Sequence, residues 1–512
     1  MQKLEQYITR IREHDAALWS DDEVVQAEIS QRLGWMTLPE QAPELYPLLD
    51  SLTEMASRRD ISNVILIGMG GSSLAAYVFA QTYHDQVSRP LRILDTMCPE
   101  DIMALARSLD FERTLFIISS KSGTTLETVV LEELLWDLSG LVIEDESQRA
   151  THFIAITDPD TPLAQRALQR GYTLITSPFD VGGRFSAFSV YGLVPSALIG
   201  IDVRMLVDEA REAQHQCETA HPDNPAIRLA TELWLFYQQN NDKLPLPDIA
   251  LSPWLEQLIA ESLGKQGKGF IPFIRPLTCC CCGSIIPCPD STRSIDKSAL
   301  AQFGGLQQCC QKNSKPPAVS SVARAMVVWE WTTALLGVLM GVNPFDQPNV
   351  VAAKESILRV LVDPHSDQIE EDIREMLPPY ADLLSTIESG DYVSILAYVS
   401  DQEFEQLKED FVPHLASKLN CPLCLEQGPR YLHSVRQLHE GGPNTGVFIA
   451  IDNRTVDSPN MILPHVDYTL RELFDAQRVG DVISLRERGR RVTMVNISEI
   501  LTMQRATKSE SI

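Results

Sequence analysis

A cluster of hydroxyl side chains at residues 120–128, with the sequence SKSGTTLET, could bind a phosphate group. It follows the apolar run TLFII at 114–118, so it lies where a predicted strand ends and a helix begins. The first turn of a helix presents unpaired backbone N–H groups and the positive end of the helix dipole, which favour an anion. Four hydroxyls and one ammonium group add donors: Ser120, Lys121, Ser122, Thr124 and Thr125. An ordinary Ser/Thr helix cap is the alternative that this segment alone leaves open.

A second segment with a chemical signature is the glycine-rich sequence GMGGSSL at residues 68–74. It follows the apolar run VILI at 64–67 and precedes AAYVFA at 75–80, which is typical of a strand–turn–helix junction. The turn is similar to a dinucleotide-binding fingerprint, and Asp95 could serve as the acidic residue of that motif. The third glycine of GxGxxG is absent, however, so the spacing disfavours NAD.

A third segment, DVGGRFSAFS at residues 180–189, places one arginine directly after a pair of glycines. The planar guanidinium of Arg184 can donate paired hydrogen bonds to an anionic or enediolate oxygen. Because Gly-Gly-Arg is by itself a common surface turn, this segment is informative only together with the other two.

With these three segments in this order, the chain resembles the glucose-6-phosphate isomerase family, whose members contain two sugar-isomerase (SIS) domains. Three further blocks carry the resemblance: QLIAESLGK at 257–265, NPFDQPNVVAAK at 343–354 and LHSVRQLHEGG at 432–442. Their order looks most like the isomerase half of fused transaldolase/glucose-6-phosphate isomerase proteins, here without the transaldolase. The resemblance implies reversible isomerisation of glucose 6-phosphate and fructose 6-phosphate through a cis-enediol, in glycolysis and gluconeogenesis.

The resemblance also implies a role for each matching residue. Glu261 matches the carboxylate base that moves a proton between C1 and C2 of the sugar, and Arg184 matches the residue that stabilises the enediolate. The glutamine four residues before Glu261 shares its helical face and could bind sugar or phosphate. The predicted substrate contacts are Gly71, Ser72, Ser120, Lys121, Ser122, Thr125 and Gln257, with Thr124 as a further candidate.

Opening of the sugar ring requires protonation of the ring oxygen while O1 loses its proton, and a histidine and a lysine suit this work. By resemblance, His433 is the ring-opening histidine and Lys354 is the lysine that assists it. His439 is the second histidine of the same block, and the interval between the two is one residue shorter than in most of the family. In isomerases of this type the histidine reaches across from a neighbouring subunit, so the resemblance implies a homodimer. It also suggests a functional link to transaldolase.

The order of apolar runs predicts an α/β fold with two SIS-type domains, each a doubly wound, mostly parallel sheet flanked by helices. Helical spacing marks 4–33 and 45–58 before the first strand, and 203–240 is the expected helical crossover. We expect a first domain at 1–215 that holds the phosphate site, and a second at 216–512 with a C-terminal helical region. The predicted strands are 61–67, 91–94, 114–119, 152–157 and 172–176 in the first domain, and Ile249, 269–274, 392–400 and 445–451 in the second.

The 512 residues carry 43 basic and 69 acidic side chains, a formal net charge of −26. This balance argues against binding to nucleic acid or anionic membranes, so a phosphorylated hexose must be held by a local site. We expect no apolar stretch long enough to span a membrane, and the N-terminal sequence MQKLEQY lacks the features of a signal peptide. A cytoplasmic location is therefore expected. Because the isomerisation only moves a proton, neither a metal nor any other cofactor is implied.

One stretch does not fit this pattern, because seven of the 11 cysteines lie between Cys279 and Cys310. The four consecutive cysteines at 279–282 cannot all face one tetrahedral metal ion, and the spacing matches no paired zinc motif. Disulfides are disfavoured in a reducing cytosol. Residues 275–325 also lack helix or strand periodicity, and the pattern of the family resumes at Val327. We interpret 275–325 as an anomalous Cys-rich segment and hypothesise a shifted reading frame.

Three other functional interpretations remain open from the sequence. Gly123 makes the hydroxyl-rich segment more similar to generic SIS domains, which leaves open an isomerase of another 6-substituted sugar. Such substrates include a sulfonated hexose, a mannose phosphate and an amino-sugar phosphate. A non-catalytic sugar-phosphate binder is the second interpretation, although binding alone would need none of Glu261, Lys354 and His433. The third is an inactive gene product, which the Cys-rich segment suggests.

Overall fold

The computed structural model describes residues 2–275, 321–348, 366–455 and 458–500, together with residues 357, 359–361 and 502. Two sequence-based predictions lie outside these residues: the role of Lys354, and the metal, disulfide and reading-frame interpretations of the cysteines at 279–310.

The described helices, in chain order, are α1 (Gln2–Arg12), α2 (Glu23–Ser30), α3 (Leu38–Gln41), α4 (Tyr46–Arg58), α5 (Leu74–Thr82), α6 (Pro99–Ser108), α7 (Leu126–Gly140), α8 (Glu146–Ala150), α9 (Pro162–Arg170), α10 (Val190–Leu198), α11 (Val203–Cys217), α12 (Pro225–Gln238), α13 (Ser252–Leu263), α14 (Val322–Met340), α15 (Ser366–Met376), α16 (Tyr380–Ser385), α17 (Asp401–Gln406), α18 (Val412–Lys418), α19 (Arg436–Gly441) and α20 (Leu470–Glu487). The described strands are β1 (Asn63–Ile67), β2 (Leu91–Leu94), β3 (Thr114–Ser119), β4 (Phe153–Thr157), β5 (Thr173–Thr176), β6 (Lys243–Pro247), β7 (Ile271–Arg275), β8 (Tyr392–Tyr398), β9 (Leu423–Gln427), β10 (Gly446–Asp452) and β11 (Arg491–Asn496).

The first sheet is fully parallel, with the strand order β2-β1-β3-β4-β5. All five of its strands were predicted from apolar runs. Strand β3 is buried at every position, as expected for a parallel sheet that is covered on both faces. From β1 the chain adds β2 on one side and then β3, β4 and β5 on the other, so the order of strand addition reverses between β1 and β3. Folds of this kind bind ligands in the crevice at that switch point.

The second sheet is also parallel, with the order β11-β10-β8-β9. The central strands β8 and β10 are buried at every position, and their apolar runs were predicted. The edge strands β9 and β11 were not predicted, because each carries polar residues that interrupt the apolar run. The predicted strand at Ile249 is wrong, since that residue lies in a bend after β6, whose Leu244 and Leu246 alternate into the interior. The predicted α/β class with two parallel sheets is confirmed.

The chain packs as two compact units that are not consecutive halves of the sequence. Unit 1 contains residues 1–95, 110–263 and 274–346, and unit 2 contains residues 96–109, 264–273 and 347–512. Helix α6 thus belongs to unit 2, although it follows a strand of the first sheet along the chain. The domain boundary expected at residue 215 stays a prediction.

Helix α14 in unit 1 corrects two expectations. It begins at Val322, after a cap in which the Ser321 hydroxyl accepts from the Arg324 N–H, so regular structure resumes before the expected end of the anomalous segment at Ala325. With 19 residues it is also long and apolar enough to cross a membrane, so the expectation that no stretch has this property is wrong. The helix is mostly buried and packs against α11, α12 and α13. Because buried core helices have the same composition, one such helix is weak evidence for a membrane span.

Candidate functional site

The glycine-rich turn after β1 and the hydroxyl-rich turn after β3 meet at the switch point of the first sheet. The Ser119 hydroxyl, at the end of β3, donates to the Ser72 carbonyl oxygen at 2.8 Å and so joins the two turns. Ligands of doubly wound sheets bind outside the carboxyl ends of strands at this point. The two predicted substrate-binding segments therefore lie at one edge of one sheet.

The hydroxyl-rich turn, residues 120–125, leads into the first turn of α7. Its first and last hydroxyls, on Ser120 and Thr125, lie 3.1 Å apart, and the Thr124 hydroxyl donates to that of Ser122 at 3.0 Å. Thr125 occupies the N-cap position, but its side chain accepts no hydrogen bond from the helix backbone. The alternative of an ordinary side-chain cap at this position is therefore wrong, and the first turn of this 15-residue helix carries the positive end of the helix dipole.

The side chain of Lys121 is held by other protein groups. Its ammonium lies 2.7 and 2.9 Å from the two carboxylate oxygens of Asp158. It also donates to the carbonyl oxygens of Pro178 at 3.1 Å and Phe179 at 3.2 Å. Burial lowers the pKa of Lys121, and the Asp158 carboxylate acts in the opposite direction. A contact between this ammonium and a phosphate stays a prediction, and the structure supplies a competing partner for it.

The turn at Gly71 touches the turn that carries Arg184, and glycine is required at this contact. A Cβ atom at position 71 would lie 2.2 Å from the carbonyl carbon of Gly183 and 2.8 Å from the backbone nitrogen of Arg184. Both distances are far below van der Waals contact, and the obstructing atoms belong to backbone. Two glycine-containing motifs that are distant in sequence thus form one packed junction, with Arg184 at its centre.

We expect Gly71→Ala to lower both the thermal stability and the sugar isomerisation that the sequence resemblance implies, because the added methyl group must displace the 183–184 backbone and Arg184 with it. Overpacking of this kind typically costs about 1–3 kcal/mol. Gly182→Ala is the matched control, since no atom lies within 4 Å of a Cβ at position 182. Melting temperatures and initial rates of both variants test this expectation. A Gly71→Ala protein as stable and as active as Gly182→Ala would contradict it.

Arg184 is buried and every nitrogen of its guanidinium contacts an oxygen. Nε donates to the Ser262 hydroxyl at 2.7 Å, and Nη2 donates to the carbonyl oxygens of Pro344 at 2.5 Å and Asp346 at 3.1 Å. Nη1 lies 3.3 Å from Oε1 of Glu261. Burial lowers the pKa of Arg184, while the Glu261 carboxylate acts to raise it. An arginine nevertheless stays protonated in proteins, so a fixed positive charge faces the carboxylate.

The structure brings the predicted base next to the predicted enediolate-stabilising residue. Glu261 is only 6% exposed and lies on α13, which packs against both glycine-containing turns. Its Oε2 accepts from Nε2 of Gln257 at 3.0 Å, one helical turn away, as the i, i+4 spacing predicted. Ser262, the partner of Arg184, was not singled out from the sequence. Its only signal was its place beside Glu261 in the block at 257–265.

A model of the phosphoglucose isomerase family matches residues 53–267 of this chain. That range contains both turns, Arg184, Gln257 and Glu261. Over these residues the chain is similar to the phosphoglucose isomerase family. The resemblance expected from the sequence is thereby confirmed, whereas the kinship with transaldolase fusions stays a prediction.

Named relatives show the same similarity. The glucose-6-phosphate isomerase of Thermus thermophilus is 33% identical over 257 residues, which cover 47% of this chain but only 58% of that protein. The glucose-6-phosphate isomerase of Heliobacterium modesticaldum is 26% identical over 418 residues, which cover 68% of this chain and 91% of that protein. The crystal structure of a glucose-6-phosphate isomerase from Chlamydia trachomatis superposes with a TM-score of 0.53 at 19% identity, over 73% of this chain and 87% of that one. This last likeness supports the predicted SIS-type fold.

The histidine block of the family lies in unit 2 and carries two histidines in different environments. His439 lies on α19, only 3% exposed, with its ring 4.9 Å from the ring of Phe448. Burial, together with the nearby positive charges of Arg490 and Arg436, lowers its pKa to about 3. His439 is therefore a neutral core residue at physiological pH.

His433, in contrast, is half-buried and ends a short 3₁₀ turn at Arg430–His433. Of the two histidines it is the accessible one, as ring-opening acid–base chemistry would require. Its predicted catalytic role stays a prediction.

Proposed function

We propose that this protein catalyses the reversible isomerisation of glucose 6-phosphate and fructose 6-phosphate. The observation that carries this proposal is the 3.3 Å approach of Arg184 Nη1 to Glu261 Oε1 in the unit that also holds the hydroxyl-rich turn. The carboxylate can remove a proton from carbon, and the fixed guanidinium beside it can stabilise the oxyanion that results. A binder of sugar phosphates would need neither group.

We propose that the phosphate is held at the switch point of the first sheet. The N–H groups at the start of α7 point toward this site, and the positive end of the helix dipole favours an anion there although the chain as a whole is acidic. Hydroxyl groups from both turns add hydrogen bonds. The residues assigned to this subsite are Gly71, Ser72, Ser120, Lys121, Ser122 and Thr125, with Thr124 as a further candidate. Lys121 belongs to it as part of the turn, since its ammonium contacts the Asp158 carboxylate.

In the proposed reaction Glu261 takes the proton from C2 of the open-chain aldose while the O1 carbonyl gains a proton, which gives the cis-enediol. Return of a proton to C1, with loss of the O2 proton, gives the ketose. Arg184 stabilises the negative charge that develops on the enediolate oxygens. Gln257, bound to the second oxygen of Glu261, keeps the carboxylate in one orientation.

We further propose that His433 and Lys354 open the sugar ring, that the protein works as a homodimer in the cytoplasm, and that it is functionally linked to transaldolase. The half-buried position of His433 supports its part of this assignment. The proposed steps transfer protons only, so they need neither a hydride acceptor nor a metal.

The proposed reaction predicts that hydrogen from the solvent enters the product. We expect purified protein to convert fructose 6-phosphate, followed by coupled detection of glucose 6-phosphate, and to leave deuterium at C2 of the aldose when the reaction runs in deuterated water. Mass spectrometry or NMR of recovered sugar measures the label, and protein-free substrate is the control. Conversion without any label in product or remaining substrate would indicate hydride migration and contradict the enediol route.

The isomerase of another 6-substituted sugar is the second candidate, and the geometry of Gly123 favours it. The residue has a φ of 64°, and a Cβ there would lie 2.8 Å from Cβ of Thr161, so the turn excludes the aromatic side chain that many glucose-6-phosphate isomerases carry. Turnover of a 6-sulfonated hexose, together with no turnover of fructose 6-phosphate, would identify the protein as an isomerase of another 6-substituted sugar.

A further inference from the structure

We propose that Lys121 and Asp158 form a positioning pair for the phosphate-binding turn, and that the Lys121 ammonium does not itself bind the phosphate. This inference rests on the proposed function, because it assigns how the phosphate site keeps its shape. An ammonium group has three N–H donors. In the structure it contacts both oxygens of Asp158 and two backbone carbonyl oxygens, so its donors are already used.

Asp158 is also fixed by contacts that do not involve the Lys121 ammonium. The Ser177 hydroxyl donates to Oδ1 of Asp158 at 2.5 Å and lies 2.9 Å from the Tyr191 hydroxyl. The backbone N–H of Asp158 donates to the Lys121 carbonyl oxygen at 3.2 Å. Both side chains of the pair are only 20% exposed, and partly buried pairs are screened less by solvent than surface pairs. The carboxylate is therefore a rigid anchor on the connection between β4 and α9.

The same connection supports the turn at two further points. The Thr157 hydroxyl donates to the Lys121 carbonyl oxygen at 3.3 Å and lies 2.7 Å from the hydroxyl of Thr161. The Thr161 side chain in turn closes the space beside Gly123. Residues 121 and 123 are thus both held from the side of α9, which fixes the direction of the N–H groups that follow. Loss of the ion pair would release one of these supports.

A positioning role and a direct contact predict opposite effects of Asp158→Asn. If the lysine binds phosphate, Asp158 competes with the ligand, so removal of its negative charge should leave phosphate binding unchanged or make it tighter. If the pair positions the turn, the substitution should weaken binding although it makes the site less negative. Lys121→Met should weaken binding in either case. In a positioning pair, however, the two substitutions remove the same interaction, so the Kd of the double variant should not exceed the higher of the two single-variant Kd values.

The experiment is a calorimetric titration of the 512-residue protein with glucitol 6-phosphate, a phosphate ester that cannot isomerise. We expect Lys121→Met, Asp158→Asn and the double variant each to raise Kd by roughly 10- to 100-fold, the range for loss of residues that orient a ligand-binding group. Asp60→Asn is the matched control, because it removes an ion pair with Arg113 that lies just before β1 and β3, at the ends of these strands away from the phosphate-binding turn. Its Kd should equal that of the unmodified protein.

Binding by Asp158→Asn that is equal to or tighter than that of the unmodified protein would overturn the inference. A double variant much weaker than both single variants would also overturn it. Asp158→Ser serves as the second variant, with the same opposed expectations, if melting curves show that Asp158→Asn does not fold. The titration measures binding alone, so a protein that binds glucitol 6-phosphate but does not isomerise sugars contradicts only the proposed function. An unmodified protein that binds no glucitol 6-phosphate contradicts both.

Discussion

Replacement of Glu261 by glutamine should remove isomerisation and leave the binding of a phosphorylated sugar nearly intact. Glutamine has the same size and can still contact Gln257 and Arg184, but it cannot accept a proton from carbon. A positioned general base contributes on the order of 10²- to 10⁴-fold to rate, and we expect kcat to fall by a factor in that range. Rates with fructose 6-phosphate and calorimetric binding of glucitol 6-phosphate measure the two effects separately.

Glu330→Gln is the matched control for this substitution. Glu330 is also a buried glutamate of unit 1, on α14, and burial alone raises its pKa well above the ordinary value. Burial therefore favours the neutral form of Glu330, which glutamine resembles in size and charge. We expect unchanged kcat in Glu330→Gln. Loss of both turnover and binding in Glu261→Gln would instead identify Glu261 as a structural residue.

The sequence predicted the parts of the site whose signal is local. Strands β1 and β3 are continuous apolar runs, and each ends in a turn of glycines or hydroxyls, so both the elements and their ligand-binding ends could be inferred. The i, i+4 contact between Gln257 and Glu261 follows from helix geometry alone. The edge strands β9 and β11 have no comparable run, because a strand at the edge of a sheet needs less apolar surface.

Long-range contacts could not be inferred in the same way. The sequence showed Arg184 and Glu261 only as separate candidates, and their 3.3 Å approach depends on how α13 packs against the glycine-containing turns. It also showed Lys121 as one more donor among hydroxyls, since nothing in residues 120–128 reveals that Asp158 follows the neighbouring strand β4. The sequence also could not show that His439 is buried in the core while His433 is only half-buried. In each case a distant segment decides what the side chain can do.

Replacement of Arg184 by lysine should reduce turnover more than affinity. Lysine keeps the positive charge, but one ammonium group cannot replace a planar fork that holds the Ser262 hydroxyl, two carbonyl oxygens and the Glu261 carboxylate together. The charge facing the developing enediolate would no longer be fixed. Loss of one preorganised donor to an oxyanion costs about 10²- to 10³-fold in kcat, and we expect a decrease of this size with a much smaller change in KM.

Arg166→Lys separates this effect from general damage to unit 1. Arg166 donates from Nε and Nη2 to the buried carboxylate of Glu132, at 3.1 and 2.7 Å, and lies outside the proposed site. Both variants should melt at lower temperature, since each loses several hydrogen bonds made by one guanidinium group. Only Arg184→Lys should lose turnover. A proportional rise in KM with unchanged kcat would mean that Arg184 binds substrate and transition state equally well. Arg184 would then be a substrate-binding residue, and the stabilisation of the enediolate would have to come from another group.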